Sequence, residues 1–117
     1  MTFHERLAFE LLAVQVILGV WALVLGLRGA ATGRVLGYAL IIDEGLLILQ
    51  SVVGGLLFAG GERPQLIHFL YGGLLVALLP VIYPLSRRRP ERSGYWLGFT
   101  LLFMAGLIIR AAMTGRS

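Results

Sequence analysis

Residues 35–59, VLGYALIIDEGLLILQSVVGGLLFA, decide the fold. Twenty-five residues run without a helix-breaking proline, and only Asp43 and Glu44 carry charge. At 1.5 Å per residue such a helix is about 37 Å long, more than the ~30 Å of a bilayer's hydrocarbon core. No period-two alternation supports a strand, and both faces are too apolar for a surface helix in water.

Three more runs flank this one, at about 7–27, 65–85 and 95–113. Each has the length of a membrane span. The chain therefore reads as all-α: a polytopic integral membrane protein with four transmembrane helices in a bundle, forming one domain over residues 1–117. Thr32 or Ser93 is placed to cap the helix that follows it, Gly60-Gly61 to end the second helix, and Pro64 to open the third. Pro80 and Pro84 are expected to kink that third helix. The first run is too long for the apolar core of a signal peptide, and no small-residue cleavage site follows it.

Composition agrees. Of 117 residues, 58% are hydrophobic and 14% charged, and mean hydropathy is +0.88, against about half and a quarter in soluble domains. Cysteine is absent, which excludes disulfides, thiolate metal sites and thiol redox chemistry. The pI near 10.4 does not indicate nucleic acid, because the arginines sit at the ends of apolar runs, where lipid headgroups lie. Arg87, Arg88 and Arg89 read as headgroup anchors, and Trp21, Trp96, Tyr83 and Tyr95 as an aromatic belt at the same boundary.

The arginines also orient the chain. Arg28, Arg34, Arg87, Arg88, Arg89 and Arg92 fall in the first and third loops; Arg6, Arg63 and Arg116 fall on the other side. The positive-inside rule then puts both termini outside, in a bacterial cytoplasmic membrane.

The chain repeats itself. Leu36-Gly37-Tyr38-x-Leu40 matches Leu97-Gly98-Phe99-x-Leu101, and Gly45-Leu46-Leu47-Ile48 matches Gly106-Leu107-Ile108-Ile109, each shifted by 61 residues without a gap. A duplicated helical hairpin is expected, its copies related by an axis along the membrane normal as in parallel repeats.

Polar groups inside the spans are the candidate sites, since a charged side chain at a helix centre costs about 2.5–3.5 kcal/mol on insertion scales. Asp43 and Glu44 lie near the midplane, with Gln50 seven residues on and on the face of Asp43. Glu10, Gln15, His68, Tyr71 and Arg110 supply an outer-leaflet polar layer, and His68 and Tyr71 are helical neighbours. The layer and the acids together suit a ligand pocket or a proton relay. Against this, Glu10, His68 and Arg110 lie close enough to the interface to reach water, and Met104 and Ala105 occupy the acids' positions in the copied helix. Small-residue pairs at Gly54-Gly55 and Gly72-Gly73, and Gly19, suit close helix approach.

No catalytic set, phosphate loop or zinc helix is present. The paired glutamates of small drug-efflux dimers, the cysteine pairs of thiol-oxidising membrane enzymes and the phenylalanine box of fluoride channels are also missing. The leading expectation is a non-catalytic membrane subunit of a larger respiratory, photosynthetic or transport complex. A stand-alone oligomeric transporter or channel with a proton-responsive midplane acid comes second. A b-haem or quinone protein using His68 comes third, because the only other histidine, His4, precedes the first apolar run. No cofactor or metal is required by the sequence, and the expected partners are the bilayer, other membrane subunits or further copies of the chain.

Overall fold

The computed structural model describes residues 2–30, 33–61 and 66–114. The expected helix caps at Thr32 and Pro64, and Gln65, Arg63 and Arg116, lie outside them. Four helices follow one another: α1 (Phe3–Leu27), α2 (Gly33–Ala59), α3 (Leu66–Ser86) and, after a 3-10 turn at Pro90–Arg92, α4 (Ser93–Thr114). All four are long and apolar enough to cross a membrane. They pack as an elongated bundle of 48 × 23 × 20 Å, each helix touching its neighbours in chain order while α4 closes back onto α1.

The helices begin and end where local chemistry allows. Thr2 Oγ1 accepts from Glu5 N–H at 3.2 Å, so α1 starts four residues before the apolar run and takes His4 into its first turn. This is the start of a capping box. Gly61 ends α2 with φ +111°, a backbone region that costs glycine little. Ser93 opens α4, with its hydroxyl donating to Pro90 O at 2.8 Å. α3 continues as one helix through Pro80 and Pro84.

The inward positions follow a spacing of three and four: Leu36, Leu40, Asp43 and Leu47 on α2, and Leu97, Leu101, Met104 and Ile108 on α4. The outward positions are equally apolar, with Ile17, Leu27, Ile41 and Phe99 each about two-thirds or more exposed. A bundle in water would place charge there. Lipid is the solvent that suits this surface.

Because lipid removes the hydrophobic drive between helices, close packing must hold the bundle. The α1–α4 seam is the tightest. A Cβ on Gly94 would stand 2.4 Å from Ala22 O, and one on Gly98 would stand 2.5 Å from Leu23 Cγ. Gly19, Ala22 and Gly26 on α1 thus face Gly94 and Gly98 on α4. Of the glycines expected to allow close approach, Gly19 does so; Gly55, Gly72 and Gly73 have nothing within 4 Å of a Cβ position. Between α2 and α3 the contact is with a side chain instead: the Tyr83 hydroxyl lies 3.2 Å from where a Gly37 Cβ would stand.

One end of the bundle, the terminal end, carries the start of α1 at Phe3 and the end of α4 at Thr114; the other carries Arg28, Arg34, Arg87 and Arg88. At this basic end the Arg87 guanidinium lies 5.8 Å from the Tyr83 ring centroid, a cation–π arrangement, while Trp96 and Tyr95 are exposed beside it.

Candidate functional site

Beneath the terminal end, between the four helices, lies a cavity of about 740 Å3. Its lower walls are Leu11, Leu12, Leu47, Leu75 and Val76; its upper walls include Gln50, Ser51, Gly54, Gly55, His68, Gly72 and Gly73. Glycines that have no packing partner therefore do have a place: they hollow out this chamber.

Two histidines meet in it. His4 on α1 and His68 on α3 have ring centroids 6.2 Å apart, with planes at 73°. His68 Nδ1 lies 2.7 Å from Ala111 O. A carbonyl only accepts, so Nδ1 carries a proton and donates it. His4 is positioned through its backbone, where Gln50 Nε2 donates to its carbonyl oxygen at 2.8 Å. Its ring lies against Gly54, where a Cβ would stand 3.2 Å from Cε1.

One helical turn below the cavity floor sits a second polar element. Gln15 Nε2 on α1 donates to Asp43 Oδ1 on α2; both residues are fully buried, near the middle of their helices. Gln15 Oε1, Asp43 Oδ2 and both oxygens of the half-buried Glu44 have no hydrogen-bond partner among the described residues. Leu11 and Leu47, 1% and 2% exposed, stand one turn above Gln15 and Asp43. This leucine layer separates the cavity from the midplane acids.

The sequence candidates thus divide into three places. His68 and Gln50 reach the cavity, joined by His4. Gln15 leaves the expected outer layer and pairs with Asp43 at the centre. Glu10 and Arg110 are exposed on the bundle's exterior, and Tyr71 packs against the apolar core without lining the cavity. The sequence reading set His4 aside because it precedes the apolar run, yet Thr2-Phe3-His4-Glu5 carries the signal: a Thr-x-x-Glu start would have extended α1 over it. The Gly94-x-x-x-Gly98 spacing was likewise a legible sign of the tight seam.

Among the described residues, no three His, Asp or Glu side chains gather as a metal cluster. Comparison with family models, characterised proteins and solved structures gave no match for this chain. Its own residues carry the functional reading.

Proposed function

We propose that this chain is a non-catalytic integral membrane protein that holds one amphipathic small molecule in the cavity at its terminal end, as a subunit of a larger membrane assembly. The cavity carries the reading. Its volume of about 740 Å3 falls within the ~300–1,000 Å3 of small-molecule sites, and an apolar wall with a few convergent polar groups is the usual composition of such sites. Leu12, Leu75 and Val76 would receive an apolar body; His4, Gln50, Ser51 and His68 would receive its polar head. The arginine bias supports an orientation with this end outside, so that ligand enters from the outer leaflet of a bacterial cytoplasmic membrane.

The duplicated hairpin belongs to the same reading. Several positions 61 apart have similar exposure: Leu36 and Leu97 are both fully buried, Tyr38 and Phe99 are 64% and 66% exposed, and Ile48 and Ile109 are 47% and 49% exposed. Asp43 is matched by Met104, both buried, so the acid is an addition to an apolar plan. A proton-responsive transporter draws on Asp43 and Glu44, and the Leu11–Leu47 layer between them and the cavity weighs against it.

The test is extraction in mild detergent followed by native mass spectrometry. One bound small molecule per chain is expected, with other membrane chains co-purifying. Gly73→Leu, which places a side chain where nothing stands within 4 Å, should expel that molecule while the helices remain intact. Retention of the same molecule in Gly73→Leu would sink the cavity reading.

A further inference from the structure

The polar end of the cavity specifies the charge of the ligand's head, which volume alone does not. Thr2, Glu5, Gln50 and Ser51 line it there, and among the described residues neither an arginine nor a lysine does. Glu5 lies in the first turn of α1, where Thr2 Oγ1 accepts from its backbone N–H at 3.2 Å, so the helix start fixes the carboxylate's place at the exposed mouth. Gln50 donates at 2.8 Å to the His4 carbonyl, the peptide oxygen that immediately precedes Glu5. The two side chains are thereby held at neighbouring positions. The other end of the same amide, Gln50 Oε1, is buried and has no hydrogen-bond partner among the described residues. A buried acceptor is ordinarily matched by a donor, and a ligand in the chamber can supply one.

An anionic head would meet a carboxylate at the mouth and an acceptor behind it. A head that is positively charged and donates hydrogen bonds suits both. Phe9 and Phe69 also line the chamber, and aromatic rings attract cations over their faces. We propose that the cavity selects an amphipathic cation, an apolar body bearing a primary ammonium head that pairs with Glu5 and donates to Gln50. This inference rests on the ligand-cavity reading above and adds the charge class of the ligand. The body lies against Leu12, Leu75 and Val76. The head stays at the terminal end, where Glu5 is exposed and the ammonium keeps part of its hydration. Selectivity for charge is therefore moderate, as for an ion pair in contact with water.

The experiment compares fluorescent probes that share one apolar body and differ in the head: 1-pyrenemethylamine, 1-pyrenemethanol and 1-pyrenecarboxylate. At neutral pH the first is a cation, the second uncharged and the third an anion. Each is titrated into the purified full chain in mild detergent, and binding is counted above the level kept by Gly73→Leu, which reports partition into the micelle. The amine is expected to bind about fivefold tighter than the alcohol, and the carboxylate weaker than either. Glu5→Gln should bring the amine level with the alcohol. Glu5→Lys should reverse the order and favour the carboxylate, a result that a misfolded chain would not give. Both variants keep the Thr2 cap, which uses the backbone N–H of residue 5.

Added phosphatidylethanolamine separates two sources of the same head. Displacement of the amine by this lipid, and not by phosphatidylglycerol, assigns the site to a lipid headgroup; no displacement by either assigns it to a free lipophilic amine. If wild type binds all the probes equally, or the carboxylate best, and Gly73→Leu blocks that binding, the cation proposal is overturned and the cavity reading stands. An amine preference that survives in both Glu5→Gln and Glu5→Lys overturns the pairing with Glu5. If no probe binds above the Gly73→Leu level, both readings fall.

Discussion

Gln15 on α1 donates its side-chain amide to Asp43 on α2 at the centre of the bundle, and neither residue reaches the surface. This is the polar link between these two helices at a depth where water offers no alternative. A proton on Oδ2 would let Asp43 donate back to Gln15 Oε1, closing an acid–amide pair that satisfies both side chains.

The link should behave as a unit. Gln15→Leu strands a buried carboxyl and is expected to cost about 1–3 kcal/mol, whereas removing both partners is nearly neutral. The Gln15→Leu/Asp43→Leu double variant should therefore recover most of the loss. Asp43→Asn, which offers both an acceptor and a donor to the amide, should stay within about 1 kcal/mol of wild type. Reversible unfolding in mixed micelles measures all three, and a double variant no more stable than Gln15→Leu would refute the coupling.

The leucine layer should isolate the acids from the cavity. Leu47→Ala removes one of its two side chains and is expected to join the chamber to the space around Asp43. An apolar carbodiimide admitted from the cavity should then modify Asp43 several-fold faster than in wild type, read by peptide mass analysis. Equal modification with and without the leucine would show that the layer is no barrier.

The α1–α4 seam should tolerate no added carbon. Gly94→Ala and Gly98→Ala drive a methyl into Ala22 O and Leu23, and each is expected to destabilise by about 1–3 kcal/mol. Gly45→Ala and Gly106→Ala meet nothing within 4 Å and should be neutral or stabilising, by up to about 1 kcal/mol, since alanine is the better helix former. Thermal unfolding in detergent separates the two pairs.

Orientation can be read from single cysteines in this cysteine-free chain. Gly61 and Glu91 are both exposed, at opposite ends of the bundle; Ser93 is buried and hydrogen-bonded, and so a poor probe. Gly61→Cys should label with an impermeant thiol reagent in intact cells and Glu91→Cys only after lysis. The reverse pattern would invert the topology.

How far the sequence could be read depended on the range of the interactions. Helix number and extent were visible in residues 35–59 and their three counterparts, because crossing ~30 Å of hydrocarbon imposes a length on the chain itself. The inward face of α2 was visible too, in the seven-residue spacing of Asp43 and Gln50. The partners of those residues were not. Gln50, grouped with Asp43 by its spacing, bonds the His4 backbone instead, while Gln15 drops out of the outer layer to meet Asp43.

Sequence by itself determined a four-helix membrane object with acids at its midplane, since apolar run length and charge placement are local properties set by the solvent. Tertiary structure alone decided which seam closes and which opens. Gly94 meets Ala22 and Gly26, and Gly98 meets Gly19 and Leu23, which draws α1 and α4 together, whereas at Gly37 on α2 it is the Tyr83 side chain of α3, not backbone, that fills the space. A glycine in an apolar run reads the same in either setting; whether it brings two backbones together or hollows a chamber depends on the side chain the neighbouring helix presents. The meeting of His4 with His68 has the same origin, for two residues 64 positions apart share a cavity only after four helices have chosen their neighbours.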